Sequence, residues 1–196
     1  MAMPAHHAAD WRWTEDEFYR ARDGAPPGER WELVDGEVLV TPAPHWVHQR
    51  VIARLFALID PYVRARAFGE AFLSPVDVKL EPGLVTQPDL LVVPNGELRT
   101  RSDTIRHLVL AAEILSPSSA RHDRVKKRPA YQRNRVSEYW IIDEQSRTIE
   151  RWRPDDERPE IVSEELLWQP PEAGTAFLLS LPEFFRSVLP EDERAE

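Results

Sequence analysis

The chain reads as an α/β domain, a mixed sheet flanked by helices with a β-hairpin near its N-terminus. Three observations carry this expectation. Two short strand-like runs, Trp31–Val34 and Glu37–Val40, meet at Asp35-Gly36, the strongest short-range hairpin signal. Residues 45–64 place Val47, Val51, Leu55, Leu58 and Ile59 at spacings of three and four, the period of a helix with one buried face. Beyond Ala71, apolar runs of strand length recur, and the run before Glu113 is continuous, as expected for a strand covered on both faces.

Taken in order, residues 1–10 read as a flexible tail, 11–185 as one domain and 186–196 as a charged C-terminal tail. Thr14 before Glu15-Asp16-Glu17 is an N-cap with acidic first-turn residues, opening a short helix through Arg22. The Pro- and Gly-rich stretch 23–28 stops it. After the hairpin and the helix over 45–64, which Pro61 should end or kink, the period changes to two over residues 71–80. Pro82-Gly83 turns the chain into a second strand, Leu84–Val93, and Leu108–Leu115 forms a third. The basic segment 120–135 reads as a helix, with Pro129 in its first turn or kinking it. Glu138–Asp143 pairs with Thr148–Trp152 across residues 144–147, a further strand lies near Ile161 and Val162, and Leu181-Pro-Glu-Phe-Phe forms a short docking helix.

Composition narrows the chemistry. The 196 residues can bury a substantial core, and 42% hydrophobic with 30% charged residues excludes wholesale disorder. No apolar run approaches the roughly 20 residues that span a bilayer. The start, Met-Ala-Met-Pro-Ala-His-His, lacks the basic and apolar regions of a secretion signal, so a cytoplasmic location is expected. The absence of cysteine excludes disulfides, thiolate nucleophiles and cysteine-bound zinc. A metal site would therefore use carboxylate, imidazole and backbone oxygen, a set suited to Mg2+ or Mn2+. A net charge of -9 argues against indiscriminate nucleic-acid binding but allows a local basic face. Arg121, Arg124, Lys126 and Arg128 are its candidates; the alternative is a solvated face paired with acidic neighbours.

Asp89 and Glu113 stand out because both lie in sequence that otherwise reads as buried strand. An ionised carboxylate there needs a partner. Neighbouring strands could bring the two together around a divalent cation, with the Ile114 carbonyl completing a hard oxygen site. A lysine from the following helix would orient or deprotonate a water, or steady phosphate charge.

Asp, then Glu on an adjacent strand, then a nearby Lys resembles the PD-(D/E)XK nuclease superfamily, whose lysine usually stands two residues after the second carboxylate, where this chain has Leu115. The wider pattern resembles the Uma family of putative restriction-endonuclease-like proteins. It comprises Trp31-Glu-Leu-Val-Asp-Gly-Glu, His48 on a helix, Gln87-Pro-Asp, Glu113-Ile-Leu-Ser-Pro-Ser, Asp123 with Lys127 and Tyr131, and Glu138-Tyr-Trp-Ile-Ile-Asp, over roughly residues 12–155.

The resemblance implies a restriction-endonuclease-like core, Mg2+ or Mn2+ held by Asp89 and Glu113, and hydrolysis of phosphodiester bonds in DNA. Its catalytic set would be Asp89, Glu113 and Lys127, the lysine having moved to the helix, with Glu32 and His48 as accessories. Because Pro129 interrupts that helix, Lys126 stays open as the alternative lysine, and Asn134 could supply the left-handed residue where the family often has glycine. The rival reading is a catalytically decayed module for binding or assembly, motivated by Leu115 and the acidic balance. A homodimer would let two sites address two strands.

Overall fold

Thr14 caps the first helix as the sequence predicts. In this computed structural model, which describes residues 12–99 and 105–189, Thr14 Oγ1 accepts the Glu17 N–H at 3.3 Å and the Glu17 carboxylate accepts the Thr14 N–H at 2.9 Å. This reciprocal box opens α1 (Glu15–Asp23). The hairpin follows as β1 (Arg30–Val34) and β2 (Glu37–Thr41). Asp35 and Gly36 take φ of 52° and 75°, the pair of positive values a type I′ turn requires.

Helix α2 (Trp46–Arg66) buries Val47, Val51, Ile52, Leu55, Ile59 and Val63. The helix does not end at Pro61 as expected; it runs on to Arg66 with Val63 fully buried. Burial of Ile59 and Val63 on either side outweighs the missing N–H of an exposed proline.

The main sheet has the order β3 (Gly69–Leu73), β4 (Leu90–Pro94), β5 (Leu110–Ile114), β6 (Glu138–Asp143), β7 (Thr148–Trp152), β8 (Glu160–Val162). Only β5 and β6 run parallel. Their crossover is the basic helical run 120–133, so it lies across one face of the sheet. On the other face, Leu90, Val92, Ala112, Trp140 and Ile142 pack with α2, while Leu91, Val93, Ala111, Tyr139 and Ile141 pack with Tyr131 of the helical run. Both faces are covered, which explains the continuous apolar runs.

Two strands are shorter than their sequence period predicts. The first stops at Leu73, and Val78 makes only isolated bridges to Thr86 and Ile105. The next begins at Leu90 rather than Leu84 because Val85 and Thr86 are already paired with Leu33 and Val78, and Pro88 has no N–H for a ladder. A second hairpin, β9 (Glu165–Trp168) with β10 (Phe177–Ser180), went unread in the sequence. Its alternation is plain in retrospect: Leu166, Trp168, Phe177 and Leu179 are buried while Leu167 and Leu178 are exposed. Helix α5 (Leu181–Val188) carries the expected docking segment past residue 185 and buries Val188 and Leu189. The expected tails, 1–10 and most of 186–196, lie outside the described residues. Among those described, no helix is long and apolar enough to cross a membrane.

Proline in a helix interior costs up to about 3 kcal/mol. Pro61→Ala is therefore expected to stabilise the protein by about 1–3 kcal/mol, read as a higher urea midpoint at unchanged m-value. An unchanged or lower midpoint would mean that the proline is needed for the course of α2.

Candidate active site

Strand register brings the two carboxylates together. Leu90 pairs with Ala112 and Leu91 with Ala111, so one further antiparallel step sets Asp89 opposite Glu113. By the same alternation Glu113 shares the face of Ala111, towards the helical run. The two are 2% and 1% exposed. Asp89 Oδ2 accepts the Ile114 N–H at 2.8 Å and lies 3.1 Å from His48 Nε2, while Oδ1 pairs closely with the Arg30 guanidinium. Burial alone would raise the Asp89 pKa; the His48 contact, Arg30 and the Ile114 N–H outweigh it and lower it to about 2.

The lysine arrives from an irregular helix. Residues Ala120–His122 (α3) lead into a π-turn, Asp123–Lys127, and then α4 (Arg128–Arg133). The Arg128 N–H reaches back five residues to the Asp123 carbonyl. In a regular α-helix the ring of Pro129 would press on the carbonyl four residues earlier, and the wide turn sits just before it. This turns both Asp123 and Lys127 inward, where they are buried.

Lys127 Nζ lies 2.7 Å from Glu32, 2.8 Å from Glu113 and 3.2 Å from Asp123. Lys126 points elsewhere and pairs with Glu37 at 2.7 Å, so Lys127 is the lysine brought to Glu113. Burial would lower the Lys127 pKa, but Glu113, Glu32 and Asp123 reverse this and hold it well above its ordinary value. The ammonium stays charged. Burial pushes the Glu113 carboxyl well above the usual carboxylate range; Lys127 opposes this, Asp89 and Asp123 add to it, and Arg30 opposes. The left-handed residue after the helix is Arg135 (φ 56°), not Asn134, whose side-chain amide instead donates to the Ala130 carbonyl.

The hairpin closes the site from above. Leu33 and Val85 exchange two backbone hydrogen bonds of 2.8 Å, and the Gln87 N–H donates to Glu32 Oε1 at 2.8 Å. Arg30 and Glu32, two apart on β1, share a strand face. Arg30 was missed by the sequence reading. Its two-residue spacing from Glu32 in a hairpin strand was the available signal. A cavity of about 540 Å³ opens beside these residues, walled by Arg30, Thr41, His48, Gln87, Asp89 and Ser116.

The expected basic surface is largely engaged with acidic or aromatic neighbours. Arg124 pairs with Glu150, Lys126 with Glu37, and Arg128 stacks over Trp152 at 4.8 Å; Arg121 is exposed.

Four buried carboxylates, Glu32, Asp89, Glu113 and Asp123, are gathered around two cations, Arg30 and Lys127. A surplus of negative charge on hard oxygens fits a divalent cation in chemistry and in charge. Among the described residues no three His, Cys, Asp or Glu side chains form a ready metal cage, and the Arg30 guanidinium pairs closely with Asp89 and lies 3.9 Å from Glu113.

Removing Lys127 should uncover three buried carboxylates at once. Lys127→Met is expected to cost about 3–5 kcal/mol in urea unfolding, and adding Glu32→Gln should return part of it. A loss below about 1 kcal/mol would show that the carboxylates are compensated without the ammonium.

No curated protein matches the chain. Among solved structures, the chain is similar to a putative nuclease belonging to DUF820 from Anabaena variabilis ATCC 29413, with a TM-score of 0.73 and 22% identity over 90% of this chain and 99% of the other. At that identity the likeness shows the fold, a mixed sheet flanked by helices. The sequence profile described as "Uma2: Putative restriction endonuclease" matches residues 15–183, and the chain belongs to that family.

Proposed function

We propose that the protein is a divalent-metal-dependent endonuclease hydrolysing phosphodiester bonds in DNA. The observation that carries this reading is that Asp89, just before β4 and on the cavity wall, stands opposite Glu113 of β5, which Lys127 of the helical run meets at 2.8 Å. Asp89, Glu113 and the Ile114 carbonyl are the oxygens that would hold Mg2+ or Mn2+. Such an ion, when bound, supplies Lewis acidity and lowers the pKa of a water.

The chain's own residues divide the remaining work. Lys127 stays protonated and wholly buried, so it cannot take a proton from water in this state. It acts as a positioning residue that keeps Glu113 aimed and offsets its charge. Glu32 fixes Lys127 from the hairpin side, and His48 holds Asp89 Oδ2 from α2. Hydrolysis joins a water oxygen to phosphorus, breaks one P–O ester bond, and leaves the proton on the departing alkoxide. The cavity beside Asp89 gives the phosphodiester access, and the exposed Arg121, outside the ion pairs that occupy Arg124 and Lys126, would meet the strand outside. A homodimer would supply a second site for the second strand.

The rival reading, a decayed binding module, would be favoured by side chains that point apart; the close pairing of Lys127 with Glu113 supports the nuclease reading instead. The purified protein is expected to nick or cut plasmid DNA with Mg2+ or Mn2+. Asp89→Ala and Glu113→Ala should each lower that activity at least about a hundredfold and weaken Mn2+ binding. The reading is overturned if neither DNA nor RNA is cut with either metal and Glu113→Ala changes neither Mn2+ binding nor stability.

A further inference from the structure

We propose that Arg30 is a built-in competitor of the metal: its guanidinium is the counter-cation of Asp89 and Glu113 in the metal-free protein and must leave them for a divalent ion to enter. This rests on the reading of Asp89 and Glu113 as metal ligands. Arg30 Nη1 pairs closely with Asp89 Oδ1 and lies 3.9 Å from Glu113 Oε2, while its Nε stands 4.0 Å from Glu32 Oε2. One positive group thus touches both proposed ligands. A divalent ion would need these oxygens at about 2.0–2.6 Å, and a guanidinium charge held this close opposes its approach.

The site's two cations differ in their freedom to move. Lys127 is fully buried and enclosed by three carboxylates, whereas the Arg30 side chain keeps 20% of its surface exposed and forms part of the cavity wall. Its other contacts are weaker anchors, a 3.2 Å hydrogen bond to Thr41 Oγ1 and one of 3.4 Å to the Gln87 carbonyl. Arg30 therefore has a way out through the cavity, and Lys127 has none. The metal affinity observed in solution is then the intrinsic affinity reduced by the fraction of molecules in which Arg30 has swung away.

The test is Mn2+ titration, by calorimetry or by the free-ion spin-resonance signal, on wild type, Arg30→Gln and Asp89→Asn. If the open arrangement is about one-tenth populated, Arg30→Gln should bind Mn2+ about tenfold more tightly. It should also melt lower than wild type without metal and recover on adding Mn2+. Equal or weaker binding by folded Arg30→Gln, while wild type binds through Asp89, overturns the competition and leaves the nuclease reading standing. If neither wild type nor Arg30→Gln binds Mn2+, both readings fall. Should Arg30→Gln not fold, Mg2+ titration of wild type gives the answer through the Arg30 Nε–H resonance. A shift that saturates with the metal is expected, and an unmoved resonance at saturation overturns the proposal.

Discussion

The enclosure of the Lys127 ammonium by Glu32, Glu113 and Asp123 is the interaction on which the arrangement depends. Each carboxylate comes from a different element: the hairpin, the central sheet and the crossover helix. None could be buried ionised alone, because transfer of a bare charge to the interior costs far more than any single contact returns. Burial of the lysine is equally conditional on the acids. The elements are therefore held in register by charge balance as well as by apolar packing.

The fold positions the two carboxylates through strand register and the lysine through a π-turn in the crossover helix. The antiparallel register of β4 and β5 sets Asp89 against Glu113, and parallel pairing of β5 with β6 forces a crossover that carries the lysine over the same face. A covered sheet face excludes water from the carboxylates, and that same exclusion pushes Glu113 towards its protonated form. Asp89, capped by the Ile114 N–H and faced by Arg30, is driven the opposite way. Burial pushes one acid and partners pull the other, so neighbouring strands shift their two carboxyls in opposite directions.

Much of this was legible in the residues. Asp89 and Glu113 were conspicuous because acids rarely interrupt apolar strands without a partner, and the hairpin turn, the capping box and the face of α2 follow from local chemistry. Other features depend on long-range pairing. Residues 84–87 have strand composition, yet Val85 is committed to Leu33 and Thr86 to Val78. Pro61 reads as a stop until the burial of Val63 is known. The choice between Lys126 and Lys127 turns on a π-turn that no periodicity announces. Arg30 and Asp123 gain meaning only once the hairpin and the helical run meet.

The π-turn also sets how the chain can vary in length. An α-helix advances about 100° per residue, so inserting or deleting one residue between Asp123 and Pro129 would swing the ammonium out of its carboxylate nest. A lysine on a strand is indifferent to the length of the helix that follows, whereas a helix-borne lysine makes the spacing from Asp123 to Tyr131 as constrained as the identity of the residues themselves. In this chain the crossover has to keep count.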